Sequence, residues 1–147
     1  MGRKKARDNT FKCIYQLEFE NRDIDRILKF CYEENKNEDD EKEYIETVLN
    51  GVVKNLETID NIILSKLKNW TIQRIAKIDL AILRLAIYEI KYMENIPPKV
   101  SANEAVELAK TYGNNDSKSF INGVIAKVIE DEGWVWLNGE DIYCIWD

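Results

Sequence analysis

The first residues of the chain concentrate positive charge. Five bases and one acid, Asp8, lie within the first 12 residues and give this segment a net charge of +4. The remaining 135 residues carry −10, and the whole chain carries −6. Because an acidic protein repels a polyanion at long range, binding one requires a local cationic surface. The bases that could supply this surface are Arg3, Lys4, Lys5, Arg7 and Lys12.

Arg7 is the most informative of these bases. At about 100° per residue it lies close to the line of Phe11 and Ile14, so it would continue the apolar stripe of a first helix. A charge on that stripe cannot be buried cheaply. We therefore expect the start of the helix to overhang the core and to leave Arg7 free to meet a phosphate or a base edge. For residues 2–4 a frayed terminus is an equal alternative.

A second group of candidate binding residues lies in the segment GNNDSKSFINGV, and this segment predicts a helix with Asp116 or Ser117 as its N-cap. Free N–H groups at a helix start attract phosphate, but an aspartate cap would occupy some of them. Asp116 therefore either only caps the helix or accepts a hydrogen bond from the amino group of a base. Lys118 would contact a phosphate, and Phe120 would either stack on a base or pack in the core.

Two further positions predict structural roles. Gly123 lies inside this last helix, where glycine costs about 1 kcal/mol relative to alanine, so close packing of another helix is the favoured explanation. Arg84 lies in the apolar run LAILRLAI and needs a carboxylate partner if it is buried. Glu104 and Glu107 on the following helix are the candidate partners.

The composition disfavours several classes of chemistry. Histidine is absent, which removes the commonest metal ligand and the commonest general base. Cys13, Cys31 and Cys144 are scattered and form no C-x-x-C pair, which is typical of reduced thiols in a cytosolic protein. Glycine-rich nucleotide motifs, a signal peptide and a long apolar run are not found either. We expect a cytoplasmic protein without metal or cofactor.

Apolar residues recur at helical spacing nearly throughout, which predicts an all-α fold. A long stripe begins at Tyr44 and is expected to break near Thr58. From Ile75 to Ile90 apolar residues occupy almost every side of a helix, which indicates the centre of a bundle. The next helix is expected to begin with a capping box formed by Ser101 and Glu104, and to end at a left-handed Gly113.

Four segments resemble one known family, the transcription antitermination factors called NusB. They are ARDNTFKCIYQLEF, WTIQRIAKIDLAILRLAIYEI, IPPKVSANEAVELAKTYG and DSKSFINGVIAKV, in the family's order and spacing. The resemblance implies a helical bundle of two three-helix subdomains without catalytic activity. It also implies binding to the boxA sequence of nascent ribosomal RNA transcripts, jointly with a ribosomal small-subunit protein called NusE, in the antitermination complex of RNA polymerase.

The resemblance also implies roles for particular residues. Arg7 matches the opening motif and is favoured as an RNA contact, Gln16 would contact a base edge, and Asn122 belongs to the family's N-G pair. The family's lysine before the phenylalanine is Ser119 here, and the lysine lies one place earlier, at Lys118. The acidic position of Asp79 lies toward NusE in the family. Its neighbour is usually arginine, and Leu80 would either make the partner surface more apolar or fill the core.

The last residues lie beyond the family pattern, so we expect a domain over residues 1–132 and an extension over 133–147. The extension is acidic and aromatic, and its Asn-Gly pair indicates a small β-hairpin. It could cover the bundle, which is the favoured alternative, make a dimer contact, or compete with RNA at the basic end. The family includes monomers and homodimers, and both stay open.

Two rival functions also stay open. NusB-like domains occur fused to ribosomal RNA methyltransferases, but no glycine-rich cofactor segment is present in these 147 residues. A helical adaptor that binds only proteins, with an incidental basic end, is the second rival.

Overall fold

The computed structural model describes residues 2–19, 23–34, 36–132, 134–137 and 141–144. Within them the helices are α1 (Gly2–Gln16), α2 (Ile24–Glu34), α3 (Asp39–Lys54), α4 (Leu56–Ser65), α5 (Lys77–Tyr92), α6 (Pro98–Tyr112) and α7 (Ser117–Asp131), with a 3₁₀ turn at Ile72–Arg74 and strands β1 (Trp134–Leu137) and β2 (Asp141–Cys144). Helices α1–α3 form one three-helix group, α5–α7 form the other, and α4 links them. The predicted all-α bundle is confirmed.

Helix α5 is the centre of the bundle. All eleven residues from Asp79 to Glu89 are buried, and the helix packs against α1, α3, α4, α6 and α7. The apolar residues on every side of α5 therefore pack against a neighbouring helix, as the sequence predicts. A helix in this position links both halves of the molecule, so side chains that protrude from it can reach several elements at once.

The long stripe of α3 breaks earlier than predicted. Helix α3 ends at Lys54 and α4 begins at Leu56, so the break lies at Asn55 and not near Thr58. At its other end α3 begins with a capping box, in which the Glu38 N–H donates to Glu41 Oε1 at 2.8 Å. The acidic segment before α3 is therefore a helix start.

Helix α6 ends before Gly113 as predicted, but the predicted capping box at its start and the left-handed conformation at its end are wrong. The helix begins at Pro98, a residue whose fixed φ suits the first helical position, so Ser101 lies inside the helix and not at a cap. Gly113 has a φ of −87° and is not left-handed. A Cβ added at Gly113 would lie 2.5 Å from the Ser117 Cβ, so glycine is needed there for the close approach of α7.

A buried polar cluster around Glu89 joins four helices. The Glu89 carboxylate is fully buried on α5 and accepts hydrogen bonds from Arg7 Nε on α1 at 2.8 Å and from Ser101 Oγ on α6 at 2.7 Å. The Tyr44 hydroxyl on α3 donates to the same carboxylate. Burial alone would lower the pKa of Arg7, but the hydrogen bond and charge of Glu89 outweigh it and raise the pKa. Burial and the charge of Glu89 raise the pKa of Tyr44.

Arg84 is buried in a second ionic cluster. Its Nε and Nη2 donate to the two carboxylate oxygens of Asp60 on α4 at 2.9 and 2.8 Å, and its Nη1 donates to Glu18 at 2.6 Å. The predicted structural role is confirmed, but the predicted partners Glu104 and Glu107 are wrong. Arg84 and Glu89 lie five residues apart, so they leave α5 on different sides, and Arg84 faces α4 while Glu89 faces α6.

The expectation of separate thiols is wrong for two cysteines. Cys13 on α1 and Cys31 on α2 are joined as a disulfide, with their Cα atoms 6.8 Å apart. The 18 residues that separate them in sequence hide this proximity, because α1 and α2 pack side by side.

The two short strands lie at the C-terminal end of the bundle. β1 and β2 pair antiparallel, with Trp134 opposite Cys144 and Leu137 opposite Asp141. The ribbon lies beside α6 and α7. Whether the tail covers the bundle, makes a dimer contact or competes with RNA stays a prediction.

We expect removal of one partner of the Glu89 cluster to destabilise the protein strongly. Arg7→Met would leave the Glu89 carboxylate buried without its cation, which costs about 3–5 kcal/mol of unfolding free energy. Lys12→Met on the same helix is the matched control, since the exposed Lys12–Asp8 pair contributes at most about 1 kcal/mol. Urea unfolding measures both, and equal losses would contradict the central role of the cluster.

Candidate nucleic-acid interface

Four of the five N-terminal bases lie exposed on α1, and each has a neighbour of its own. The Arg3 guanidinium lies 4.6 Å from the ring centroid of Tyr44. Lys4 pairs with Glu104 at 3.3 Å, and Lys5 donates to the Lys36 carbonyl at 2.5 Å and lies 3.9 Å from Glu41. Exposed ion pairs are weak, so a phosphate can compete for these cations.

Lys12 is also exposed, and its Nζ lies 3.3 Å from Asp8 Oδ2. Burial opposes its charge and is the largest single influence, but the charge and hydrogen bond of Asp8, together with Tyr112, outweigh it and raise the pKa of Lys12. Asp8 in turn accepts a hydrogen bond from the Tyr112 hydroxyl at 2.7 Å. The one acid in the basic segment is therefore fixed beside α6.

The expectation that Arg7 overhangs the core is wrong. Its side chain is only 5% exposed, and the Glu89 carboxylate holds it inside the bundle. Burying the Arg7 charge is tolerated because Glu89 supplies a fully buried opposite charge and accepts a hydrogen bond from it. Glu89 lies 82 residues away in the sequence. Arg7 therefore positions α1, and it is not accessible to RNA.

Gln16 lies half-buried at the end of α1. It lines a shallow groove of about 280 Å³ together with Lys12, Tyr15 and Phe30. Phe30 on α2 is about half exposed, so the groove has an apolar wall as well as polar groups. Gln16 is accessible to a ligand from this side.

At the start of α7, no partner for the Asp116 carboxylate is found among the described residues. Asp116 is the N-cap residue but makes no side-chain cap hydrogen bond, and it is exposed. The neighbouring turn is held by Asn114, whose Oδ1 accepts from the Asp116 N–H at 2.9 Å and whose N–H donates to Ser117 Oγ at 3.0 Å. Ser117 is buried, so it supports the turn and cannot meet RNA directly.

The solvent face of α7 carries the other predicted residues. Lys118 and Asn122 are exposed, and within the described part of the chain no carboxylate lies within ion-pair distance of Lys118. Phe120 is half-buried, with its ring centroid 5.5 Å from that of Trp70. One turn apart, Lys118 and Asn122 share a side of the helix, while Phe120 lies on another.

Gly123 is not explained by helix packing, which corrects the prediction from the sequence. A Cβ added there would meet nothing within 4 Å. It shares the exposed face with Ser119, so two small residues leave the middle of this face flat. A flat strip bordered by Asn122 and Phe120 lets the backbone of a ligand approach closely.

A cleft between the two helical groups contains Asp79. The cleft has a volume of about 380 Å³ and is lined by residues of α1, α5, α6 and α7, including Tyr15, Asp79, Tyr112 and Ser117. Asp79 is 7% exposed, and among the described residues no hydrogen bond or ion pair reaches its carboxylate. Leu80 faces the core and is 2% exposed, which selects core filling over an apolar partner surface.

The described parts of the chain contain no cluster of three or more metal-ligating side chains. No helix among them has the length and apolar character needed to cross a bilayer. The candidate interface contains exposed cations, amides, the carboxylates of Asp79 and Asp116, and aromatic rings.

We expect Gly123→Ala to raise the stability of the protein. The added methyl group meets open space, and alanine is favoured over glycine in a helix by about 1 kcal/mol, so the unfolding free energy should rise by that order. Asn122→Ala, at the neighbouring exposed position, is the matched control for a change on this face. A loss of stability for Gly123→Ala would show that a packed neighbour occupies the site.

Comparisons with known proteins identify the family and the fold. A family model described as the NusB family matches residues 4–130. The transcription antitermination protein NusB of Alkaliphilus oremlandii is 46% identical over 134 residues, covering 90% of this chain and 96% of that protein. The protein of the same name from Listeria monocytogenes serotype 4a is 39% identical over 132 residues, covering 90% and 99%.

Solved structures show the same fold. T. maritima NusB superposes with a TM-score of 0.83 at 32% identity, covering 89% of this chain and 92% of that one. A crystal structure of antitermination factors NusB and NusE in complex with dsRNA gives a TM-score of 0.80 at 27% identity, covering 88% and 96%. The family model spans most of the sequence and the bundle matches throughout, and we conclude that this chain belongs to the NusB family.

Proposed function

We propose that this chain is a transcription antitermination factor. It binds boxA RNA of ribosomal RNA transcripts together with the ribosomal protein NusE, as a non-catalytic scaffold in the antitermination complex of RNA polymerase. The location of that complex makes the protein cytoplasmic. Relatives named transcription antitermination protein NusB, and a similar NusB bound to NusE and dsRNA, support the proposal.

The observation that carries the proposal is the solvent face at the start of α7. Lys118 supplies a cation without a carboxylate partner in the described residues, Asp116 supplies a free acceptor, and Phe120 supplies a partly exposed ring. Cations that meet phosphates provide affinity, while acceptors and rings that meet bases provide choice of sequence. These three kinds of group occupy five consecutive residues.

The exposed bases of α1 extend this surface. Arg3, Lys4, Lys5 and Lys12 would contact phosphates after exchanging their weak intramolecular partners, and Gln16 would reach a base edge. Tyr15 on α1 and Ser117 on α7 line the same cleft, so the two predicted RNA-binding segments border one feature of the surface. Asn122 would add a polar contact on the side of α7 that Lys118 occupies.

The cleft with Asp79 is the proposed contact for NusE. A carboxylate at the third position of α5 is favoured by the free N–H groups of the helix start, which supports its charge in the absence of a cation. A lysine or arginine of the partner would supply the missing opposite charge. Leu80, being buried, would contribute only by fixing the helix that carries Asp79.

We expect Lys118→Gln to weaken binding of a fluorescent boxA RNA in the presence of NusE. Loss of one phosphate contact on a single strand should reduce the slope of log affinity against log salt by about 0.7. Lys91→Gln is the matched control, because Lys91 pairs with Glu132 beyond the far end of α7, about 20 Å along the helix from Lys118. An unchanged slope for Lys118→Gln would remove this residue from the interface.

The same titration distinguishes the rival functions. Salt-dependent binding of RNA that NusE strengthens supports the scaffold. Binding of NusE with no RNA binding at either of two salt concentrations would favour the protein adaptor. Transfer of a methyl group from a methyl donor to RNA would favour an enzyme.

We expect Asp79→Asn to weaken binding of NusE by at least about tenfold, because loss of one partner of a desolvated interfacial charge pair costs about 2–5 kcal/mol. Stability should change little, since no described cation depends on this carboxylate. Asp25→Asn, at an exposed position of α2, is the matched control. Calorimetric titration without RNA measures both variants, and equal affinities would place the NusE contact elsewhere.

A further inference from the structure

The segment between α4 and α5 presents an exposed tryptophan that the predicted site does not include. The side chain of Trp70 is 37% exposed, although the indole ring has a large apolar surface that is usually buried. Its ring packs against Phe120 of α7 with centroids 5.5 Å apart and planes tilted by 38°. Trp70 thus extends an aromatic surface from α7 onto a second element.

A cation accompanies this aromatic pair. The Arg74 guanidinium carbon lies 5.2 Å from the Trp70 ring centroid, and Nη1 donates to the Asn69 carbonyl at 3.3 Å. Asn69 has a φ of 63°, the left-handed region that asparagine tolerates better than most residues. The backbone turn at Asn69 and the 3₁₀ turn at Ile72–Arg74 together hold the indole and the guanidinium in contact.

Arg74 differs from the bases of α1 in its partners. Within the described ranges no carboxylate lies within ion-pair distance of Arg74, whereas Lys4, Lys5 and Lys12 each lie beside an acid. Its charge is therefore available to an anionic ligand without competition from a neighbouring side chain. An exposed guanidinium over an exposed indole also offers a planar surface, on which a nucleobase can stack.

We propose that Trp70, Arg74 and Phe120 form a stacking platform for one unpaired base of the bound RNA, with the Arg74 charge directed to its phosphate. The proposal rests on the RNA-binding function proposed above and adds to it a second element, the segment between α4 and α5. The occupant is RNA because a free cation and flat aromatic faces match a nucleotide in both charge and shape. The flat strip at Ser119 and Gly123 on α7 leaves room for it beside Phe120.

The experiment compares Trp70→Leu with Trp70→Phe in binding to a single-stranded boxA RNA with NusE present. Leucine keeps an apolar group against Phe120 but has no planar face, so affinity should fall about tenfold, while phenylalanine should retain most of it. The slope of affinity against salt should stay unchanged for both variants and should decrease by about 0.7 for Arg74→Gln. Tyr92→Leu is the matched control, because Tyr92 is 38% exposed and packs on Tyr88 at the far end of α5.

A second arm varies the RNA and follows the emission of Trp70. Single abasic sites placed in turn along the RNA should identify one position whose loss weakens wild-type binding about tenfold and has no further effect on Trp70→Leu. RNA should also quench the emission of Trp70 in a variant whose other three tryptophans are phenylalanine. This arm tests the platform even if Trp70→Leu fails to fold.

The outcomes separate this proposal from the one on which it rests. Absence of RNA binding by the wild-type protein would overturn both. Normal RNA binding by a folded Trp70→Leu, or additive effects at every abasic site, would overturn the platform alone. Weaker binding of NusE by Trp70→Leu in the absence of RNA would assign Trp70 to the protein partner and would also overturn the platform.

Discussion

The arrangement of this molecule depends on the carboxylate of Glu89. It is fully buried at the centre of the bundle, and a buried charge is tolerated only when opposite charge and hydrogen bonds surround it. Arg7, Ser101 and Tyr44 satisfy that requirement from three different helices. The position of α1, which carries the exposed bases, is therefore fixed by an interaction that never reaches the surface. The exposed bases and the buried Arg7 lie on the same helix.

The sequence predicts most of the architecture but not this cluster. The apolar residues of α5 leave no polar side, so periodicity alone places the helix at the centre. The partners of Glu89 are separated from it by 12, 45 and 82 residues, and no local pattern reports on such contacts. For the same reason Ser101 matched a capping box in sequence, while in the fold it serves Glu89 from within α6. The one indication in the sequence is Glu89 in the apolar run RLAIYEI, because a buried carboxylate needs a cation as its partner.

The sequence predicts the exposure of candidate site residues when helix geometry alone determines it. It does not predict the exposure of a residue that depends on a contact with a distant part of the chain. Lys118 and Asn122 are exposed on α7 as expected, because the opposite side of that helix is apolar. The sequence alone predicts an exposed Arg7, because it does not reveal the partner Glu89. It predicts a helix packed against Gly123, because it does not reveal the open space beside that residue. Periodicity does not single out Trp70 and Arg74, because they precede α5 in a segment without helical spacing, where the turn at Asn69 determines which side chains are exposed.

The ion pairs along α1 weaken the binding of non-specific anionic ligands. Each lysine there already has an anionic neighbour, and the protein as a whole is acidic, so a stray polyanion gains little by displacing one pair at a time. Only a ligand that meets several of these cations at once would offset the loss of their partners, so the total charge of a ligand does not by itself decide whether it binds here.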